Sequence, residues 1–243
     1  MQLSHLLVAA AVAVTPFIAK AAPPSTSDGA DAIRASVESL GGRGELQAVR
    51  KAPVAGLMEV QADGEILYFT PDGKYLIAGD IYRVADRANL TEGARGKIRV
   101  AQLATSDAST HISYGPKDAN HVIYVFTDIS CGYCQQWHQQ VPALNAAGVR
   151  VEYLAWPRGG ARSPDVAKMD SIWCAKDRRA AYDAAIAGKS VASASCKSPV
   201  MAQYDLGERI GVQGTPAIFA ADGRQLGGYI PAKAILQALS VAP

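Results

Sequence analysis

Hydrophobic positions change their spacing several times along the chain, and each change marks an element. The first run, Leu6-Leu7-Val8-Ala9-Ala10-Ala11-Val12-Ala13-Val14, is unbroken but too short to span a bilayer. Ala19 and Ala21 follow with the small-x-small spacing of a cleavage site. Residues 1–22 are therefore expected to be a secretory signal peptide, although His5 is the only basic residue of its leading segment. Residues 22–27 read as a disordered lead-in. Residues 31–40 put Ile33, Val37 and Leu40 on one helical face, stopped by Gly41-Gly42. The period then drops to two. Residues 57–60, 65–70 and 74–82 predict three strands of an antiparallel meander, turned at Asp63-Gly64 and Pro71-Asp72-Gly73. Residues 89–106 return to helical spacing, with Leu90, Ala94, Ile98, Ala101 and Leu103 forming a weak apolar face. That face suits a connector between domains better than a core.

Ser113-Tyr114-Gly115-Pro116-Lys117 marks entry into a second domain. Residues 121–126 form an apolar run that predicts a buried strand. A polar turn breaks it, and a helix follows from Cys131 through Trp137 to Pro142, where regular hydrogen bonding should kink or end. Residues 149–154 are the next strand, and a crossover of this length predicts a parallel β-α-β unit. Residues 163–187 are helical by pattern and hold Cys174; residues 190–198 form a loop holding Cys196; residues 200–210 are helical again. Gly214-Thr215-Pro216 turns into a strand ending at Ala220, and Asp222-Gly223 turns that strand into residues 225–229. A final helix covers residues 231–239, and no internal repeat is visible.

The chain has 243 residues, is 49% hydrophobic and carries a formal charge of +2. That is ample for one or two cores, and nothing in the charge balance points to nucleic acid or an anionic membrane surface. The meander with its one short helix is too small to bury a large core alone. It needs a partner surface, either the second domain or another copy of the chain meeting it along an exposed sheet edge.

Export changes how the four cysteines read, because an even count in an oxidising compartment suggests pairing. Cys131 and Cys134 are too close in sequence to staple much chain, whereas Cys174 and Cys196 close a longer loop. The first pair is then the candidate for chemistry and the second for stability. Cys131 stands where a strand gives way to a helix, and unpaired N–H groups at a helix start favour a thiolate over a thiol. A thiolate is both the nucleophile and the leaving group of disulfide exchange, and Cys134 lies one turn away, able to attack the same sulfur. Zinc would require two further ligands at suitable spacing, which Cys174 and Cys196 do not supply. Covalent haem would require His after Cys134, where Gln135 stands. No metal and no cofactor are expected.

Thr215-Pro216 at a strand opening could be a simple strand start. Combined with the dithiol on a β-α-β unit, it points instead to a cis peptide that exposes the Thr215 backbone beside Cys131, where an extended substrate can pair as an added strand. His138 is expected to be a helix-surface or partly packed residue rather than a base. Glu152 could accept a proton from Cys134, but an edge or solvent-facing position explains it equally. Trp137, Trp156 and Trp173 read as core or cleft aromatics, and Arg158 and Lys176 as solvated.

Phe126-Thr127-Asp128-Ile129-Ser130-Cys131-Gly132-Tyr133-Cys134 resembles the active-site motif of the thioredoxin superfamily, and more narrowly that of the periplasmic disulfide isomerases of the DsbC/DsbG family. Ala52-Pro53-Val54-Ala55-Gly56, Ile172-Trp173-Cys174-Ala175-Lys176-Asp177, Ala187-Gly188-Lys189-Ser190-Val191 and Gly214-Thr215-Pro216-Ala217 fit the same family, and Gly132-Tyr133 fits its DsbC side. The resemblance covers nearly the whole chain after the signal peptide. It implies an α+β chain: a small N-terminal antiparallel meander for dimerisation (cystatin-like, residues 23–88), a linker helix (89–112), and a thioredoxin-like α/β domain (113–243) with a helical insertion at about 160–210. It implies a V-shaped homodimer whose catalytic domains face an apolar cleft. Carried onto this sequence, Cys131 is the attacking and Cys134 the resolving cysteine. Pro216 is the cis-proline, with Thr215, Gly132 and Tyr133 contacting substrate, and Cys174–Cys196 is the structural disulfide. The implied activity is rearrangement of wrong disulfides in exported proteins in the periplasm, with chaperone activity and a membrane reductant of the DsbD type. The alternatives are a dimeric holdase and a DsbG-like reductase of oxidised single cysteines.

Overall fold

The structure, a computed structural model, describes residues 26–40, 46–62 and 64–240. The expected signal peptide, the Gly41-Gly42 stop and Asp63 of the first turn lie outside the described residues. Among those described, no helix is long and apolar enough to cross a membrane.

The chain opens with helix α1 (Thr26–Ser39), which begins five residues before the apolar periodicity does, in a polar stretch that the spacing of hydrophobic residues cannot mark. A four-stranded antiparallel sheet follows, in the order β1 (Leu46–Lys51), β2 (Met58–Ala62), β3 (Glu65–Phe69), β4 (Leu76–Ile77). Two expectations are corrected here. Strand β1 was not predicted, because its residues are only half-buried and its register slips at Leu46/Ala48, which blurs the alternation. Residues 74–82 do not form one strand: β4 is two residues long, and Tyr82 pairs elsewhere, in the ribbon of β5 (Tyr82–Arg83) and β6 (Ala88–Asn89).

The sheet is covered on both faces. Ile33 and Val37 of α1 pack on Met58, Val60 and Phe69, while Ile66 and Tyr68 on the opposite face meet Ala94 and Ile98 of helix α2 (Leu90–Leu103). The Asn89 side chain accepts a hydrogen bond from the Glu92 N–H and so caps α2. This helix is more than a spacer. Leu103 joins a second cluster with Phe126, Leu154 and Phe219, and the buried Arg99 donates to the carbonyls of Ile210 and Gly223 while its guanidinium lies over the Phe219 ring. A Cβ on Gly223, whose φ is +84°, would lie 2.0 Å from the Gly96 carbonyl oxygen, so only glycine lets the two backbones approach this closely.

The C-terminal half is a five-stranded mixed sheet in the order β11-β10-β8-β9-β7. Strands β8 (His121–Thr127) and β9 (Val149–Ala155) are parallel, joined through α3 (Gly132–His138) and α4 (Val141–Ala146). The break between these helices falls at Gln139–Gln140, with Pro142 in the first turn of α4, where a missing N–H costs nothing. Strand β7 (Ile112–Tyr114) runs antiparallel to β9; β10 (Ala217–Ala220) runs antiparallel to β8 and to β11 (Gln225–Gly227). Helix α8 (Ala232–Ser240) is the last element of the described residues. The single helix expected over residues 163–187 is two, α5 (Val166–Trp173) and α6 (Arg178–Ile186), because Asp177 breaks out to cap α6 by accepting from the Ala180 N–H. Helix α7 (Val200–Arg209) follows the loop holding Cys196. The architecture is α+β, with an antiparallel N-terminal sheet and a thioredoxin-like C-terminal half.

Candidate active site

Strand β8 ends at Thr127 with every side chain from Val125 onward buried, so the polar turn after it is fixed by the core beneath. The buried carboxylate of Asp128 organises that turn. Its Oδ1 accepts from the Ser130 N–H at 2.8 Å and the Ser130 hydroxyl at 2.7 Å, and its backbone carbonyl accepts from the Cys131 N–H at 3.1 Å. Cys131 is thereby delivered in an extended conformation to the N-cap of α3, where its carbonyl accepts the first helical bond from Gln135. Cys134 sits inside the helix. Across from them the Thr215–Pro216 peptide is cis, and the Thr215 carbonyl lies 3.2 Å from Cys131 Sγ. The Thr215 hydroxyl is buried and makes no well-formed hydrogen bond among the described residues, which leaves the two sulfurs as the groups it acts on.

The two sulfurs differ in their titration. Burial alone would raise the Cys131 thiol, but the Thr215 hydroxyl and the N–H groups of Cys134 and Tyr133 outweigh it, and the thiol falls below its ordinary value. Burial dominates at Cys134 and pushes its thiol up to about 12. Of the two, Cys131 is the more readily ionised sulfur, and its neighbour one turn away stays protonated at neutral pH. An open groove of about 360 Å³ runs beside them, bounded by Tyr133, Thr215, Pro216, Gln225 and Tyr229. The rings of Tyr133 and Tyr229 stand 5.7 Å apart and both are exposed. Gly132 also faces open space, with nothing near the position a Cβ would take. Among the described residues no group of His, Cys, Asp and Glu could hold a metal ion.

Cys174, which caps the C-terminus of α5, is disulfide-bonded to Cys196, with Cα atoms 5.5 Å apart. Trp137, Trp156 and Trp173 are buried, and the Trp137 indole donates to the Ile230 carbonyl. His138 is half-buried between the Tyr153 hydroxyl and Asp183. Two readings need correction. Glu152 is neither solvent-facing nor directed at Cys134: it is buried, accepts from the Ser113 hydroxyl and pairs with Arg150 and His111. Strand β9 is an inner strand, which leaves Glu152 no edge to occupy. Arg158 is not simply solvated, since it pairs with Asp128; Lys176 is exposed. Asp128 and Tyr229 were missed. Asp128 looks like an ordinary turn residue in sequence, and Tyr229 is a lone aromatic that only the hairpin β10–β11 carries to the groove.

The description "Thioredoxin-like domain" matches residues 111–242, and "Disulfide bond isomerase protein N-terminal domain" matches residues 19–92. The thiol:disulfide interchange protein DsbC of Escherichia coli (strain K12) is 42% identical over 185 residues, covering 76% of this chain and 77% of its own. The protein of the same name from Salmonella typhimurium is 44% identical over 201 residues, covering 82% and 81%. A solved disulfide interchange protein from Neisseria gonorrhoeae overlaps 56% of this chain and 96% of its own, with a TM-score of 0.49 and 27% identity.

Proposed function

We propose that this chain, which belongs to the DsbC family of thiol:disulfide interchange proteins, carries out that exchange with Cys131 as the attacking cysteine and Cys134 as the resolving one. The Cys131 thiolate attacks one sulfur of a wrong disulfide, forming a mixed disulfide and releasing the other substrate sulfur as a thiolate. In isomerisation a substrate thiolate then attacks a different bond and eventually displaces Cys131, with no net change in oxidation. In the reductive branch Cys134 loses its proton and attacks Cys131 Sγ. The substrate leaves with both sulfurs reduced, and Cys131–Cys134 holds the disulfide. The observation that carries the assignment is the position of Cys131 Sγ, at the start of α3 and 3.2 Å from the Thr215 carbonyl. In a scrambled-disulfide refolding assay Cys131→Ser should fall to the uncatalysed background; activity equal to wild type would overturn the assignment.

Thr215 offers its backbone to an extended substrate, Pro216 holds that loop, Tyr133 lines the same groove, and Gly132 contacts the substrate beside Cys131. Residues 113–243 are the catalytic domain, with the helical insertion at about 160–210, and residues 89–112 the linker. Residues 23–88 form the dimerisation domain of a homodimer. Support for that last assignment comes from β4, an edge strand with Leu76 and Ile77 exposed, flanked by exposed Tyr75, Tyr82 and Val84. A monomeric mass for the full mature protein would refute it. The signal-like leader supports a periplasmic location, where the substrates are misoxidised exported proteins and the dithiol is kept reduced by a membrane partner of the DsbD type. The exposed Tyr133 and Tyr229 favour a second role, holding unfolded chains. Suppression of aggregation should then persist in a Cys131→Ala, Cys134→Ala double variant.

A further inference from the structure

Arg158 follows β9 and reaches back to the turn that delivers Cys131. Its backbone N–H donates to Asp128 Oδ2 at 2.9 Å, its Nε approaches the same oxygen at 3.3 Å, and its Nη2 donates to the Ser130 hydroxyl at 3.2 Å. Asp128 is only 1% exposed, and Arg158 is its one cationic partner among the described residues. The Asp128 backbone carbonyl accepts from the Cys131 N–H, so this carboxylate belongs to the turn that carries the sulfur. A buried carboxylate in such a turn opposes ionisation of a nearby thiol, since like charges repel strongly away from water. Burial keeps Cys134 protonated, and it holds Tyr153 of β9 and Tyr182 of α6 as phenols. Thr215, on the facing loop, brings no charge. The charge that meets Cys131 is therefore that of the Asp128–Arg158 pair. The influence is mutual: burial works against the guanidinium, but Asp128 and the two cysteine sulfurs favour its charge.

We propose that Arg158 is a positioning residue for the exchange reaction: its guanidinium cancels the buried charge of Asp128 and ties down Ser130, leaving the Cys131 thiolate unopposed. The inference rests on Cys131 being the attacking cysteine. Because the backbone N–H of residue 158 also holds Asp128, side-chain variants keep part of the turn's anchoring.

The test is a titration of Cys131 in the reduced full-length mature protein, by thiolate absorbance and by the pH profile of iodoacetamide alkylation. It compares wild type, Arg158→Gln and Arg158→Lys, with circular dichroism to confirm that each is folded. Arg158→Gln should move the midpoint upward and cut the alkylation rate below that midpoint by about three- to tenfold. Arg158→Lys, which keeps the charge, should stay within about twofold of wild type. An unchanged midpoint in Arg158→Gln, or an equal shift in Arg158→Lys, overturns the proposal. Failure of the underlying assignment looks different: Cys131→Ser would remain active in refolding, whatever the titration showed.

Discussion

The two cysteine pairs place identical chemistry in opposite settings. Cys131 and Cys134 enclose two residues, stand where β8 passes into α3, and face a loop whose Thr215 carbonyl approaches one of the sulfurs. Cys174 and Cys196 lie 22 residues apart and tie the end of α5 to the loop before α7. Reactivity comes from N–H and O–H donors held around one sulfur, and stability comes from the length of chain a bond closes. Neither property belongs to cysteine itself.

Breaking each pair should therefore give different kinds of loss. Cys131→Ser should remove all catalysis while leaving urea unfolding nearly unchanged. Cys174→Ala with Cys196→Ala should do the reverse, keeping Cys131 alkylation but lowering unfolding free energy by about 3 kcal/mol, as expected for a loop of 22 residues. Loss of catalysis in the second variant under conditions where it is folded would erase the distinction.

A smaller change sharpens the contrast within the first pair. Thr215→Val removes the hydroxyl that favours the Cys131 thiolate while keeping its shape, and should slow alkylation below neutral pH by about tenfold. In wild type at pH 7, iodoacetamide with mass mapping should label Cys131 and spare Cys134, whose thiol ionises only near 12. Equal labelling would mean that burial does not separate the two sulfurs.

The smallest effect concerns the aromatic cluster beneath the dithiol. Burial disfavours the charged form of His138, and Asp183 only partly offsets this, so its pKa is lower folded than unfolded. The associated stability is fully present above pH 6.5 and is lost as pH falls through the folded value. Replacing His138 with Asn should flatten the acid side of the urea-midpoint profile by about 1 kcal/mol or less. An unchanged slope would show that the histidine protonates equally well in both states.

Much of the catalytic half was legible because its signals are local. The apolar run before Cys131, the turn at Asp222-Gly223 and Pro142 each speak for a few neighbouring residues, and β8, β10–β11 and the α3–α4 break lie where those signals put them. The N-terminal sheet was less legible: β1 alternates poorly, and β4 is shortened because Tyr82 finds a partner in β6. Helix α2 misled for a related reason. Its weak apolar face pointed to a connector, and only the carbonyls of Ile210 and Gly223, more than 110 positions from Arg99, make that residue a buried anchor.

By itself, then, the sequence determined the strand–helix–strand order around the dithiol, the family, and which cysteines were close enough for chemistry, since periodicity and spacing act over a turn or two of chain. Tertiary structure alone decided that burial holds Cys134 protonated, that Glu152 is buried and that Arg158 meets Asp128. Those outcomes depend on desolvation and on charges brought together across β8, β9 and the Thr215 loop, and no pattern in a single segment encodes the distance between two segments.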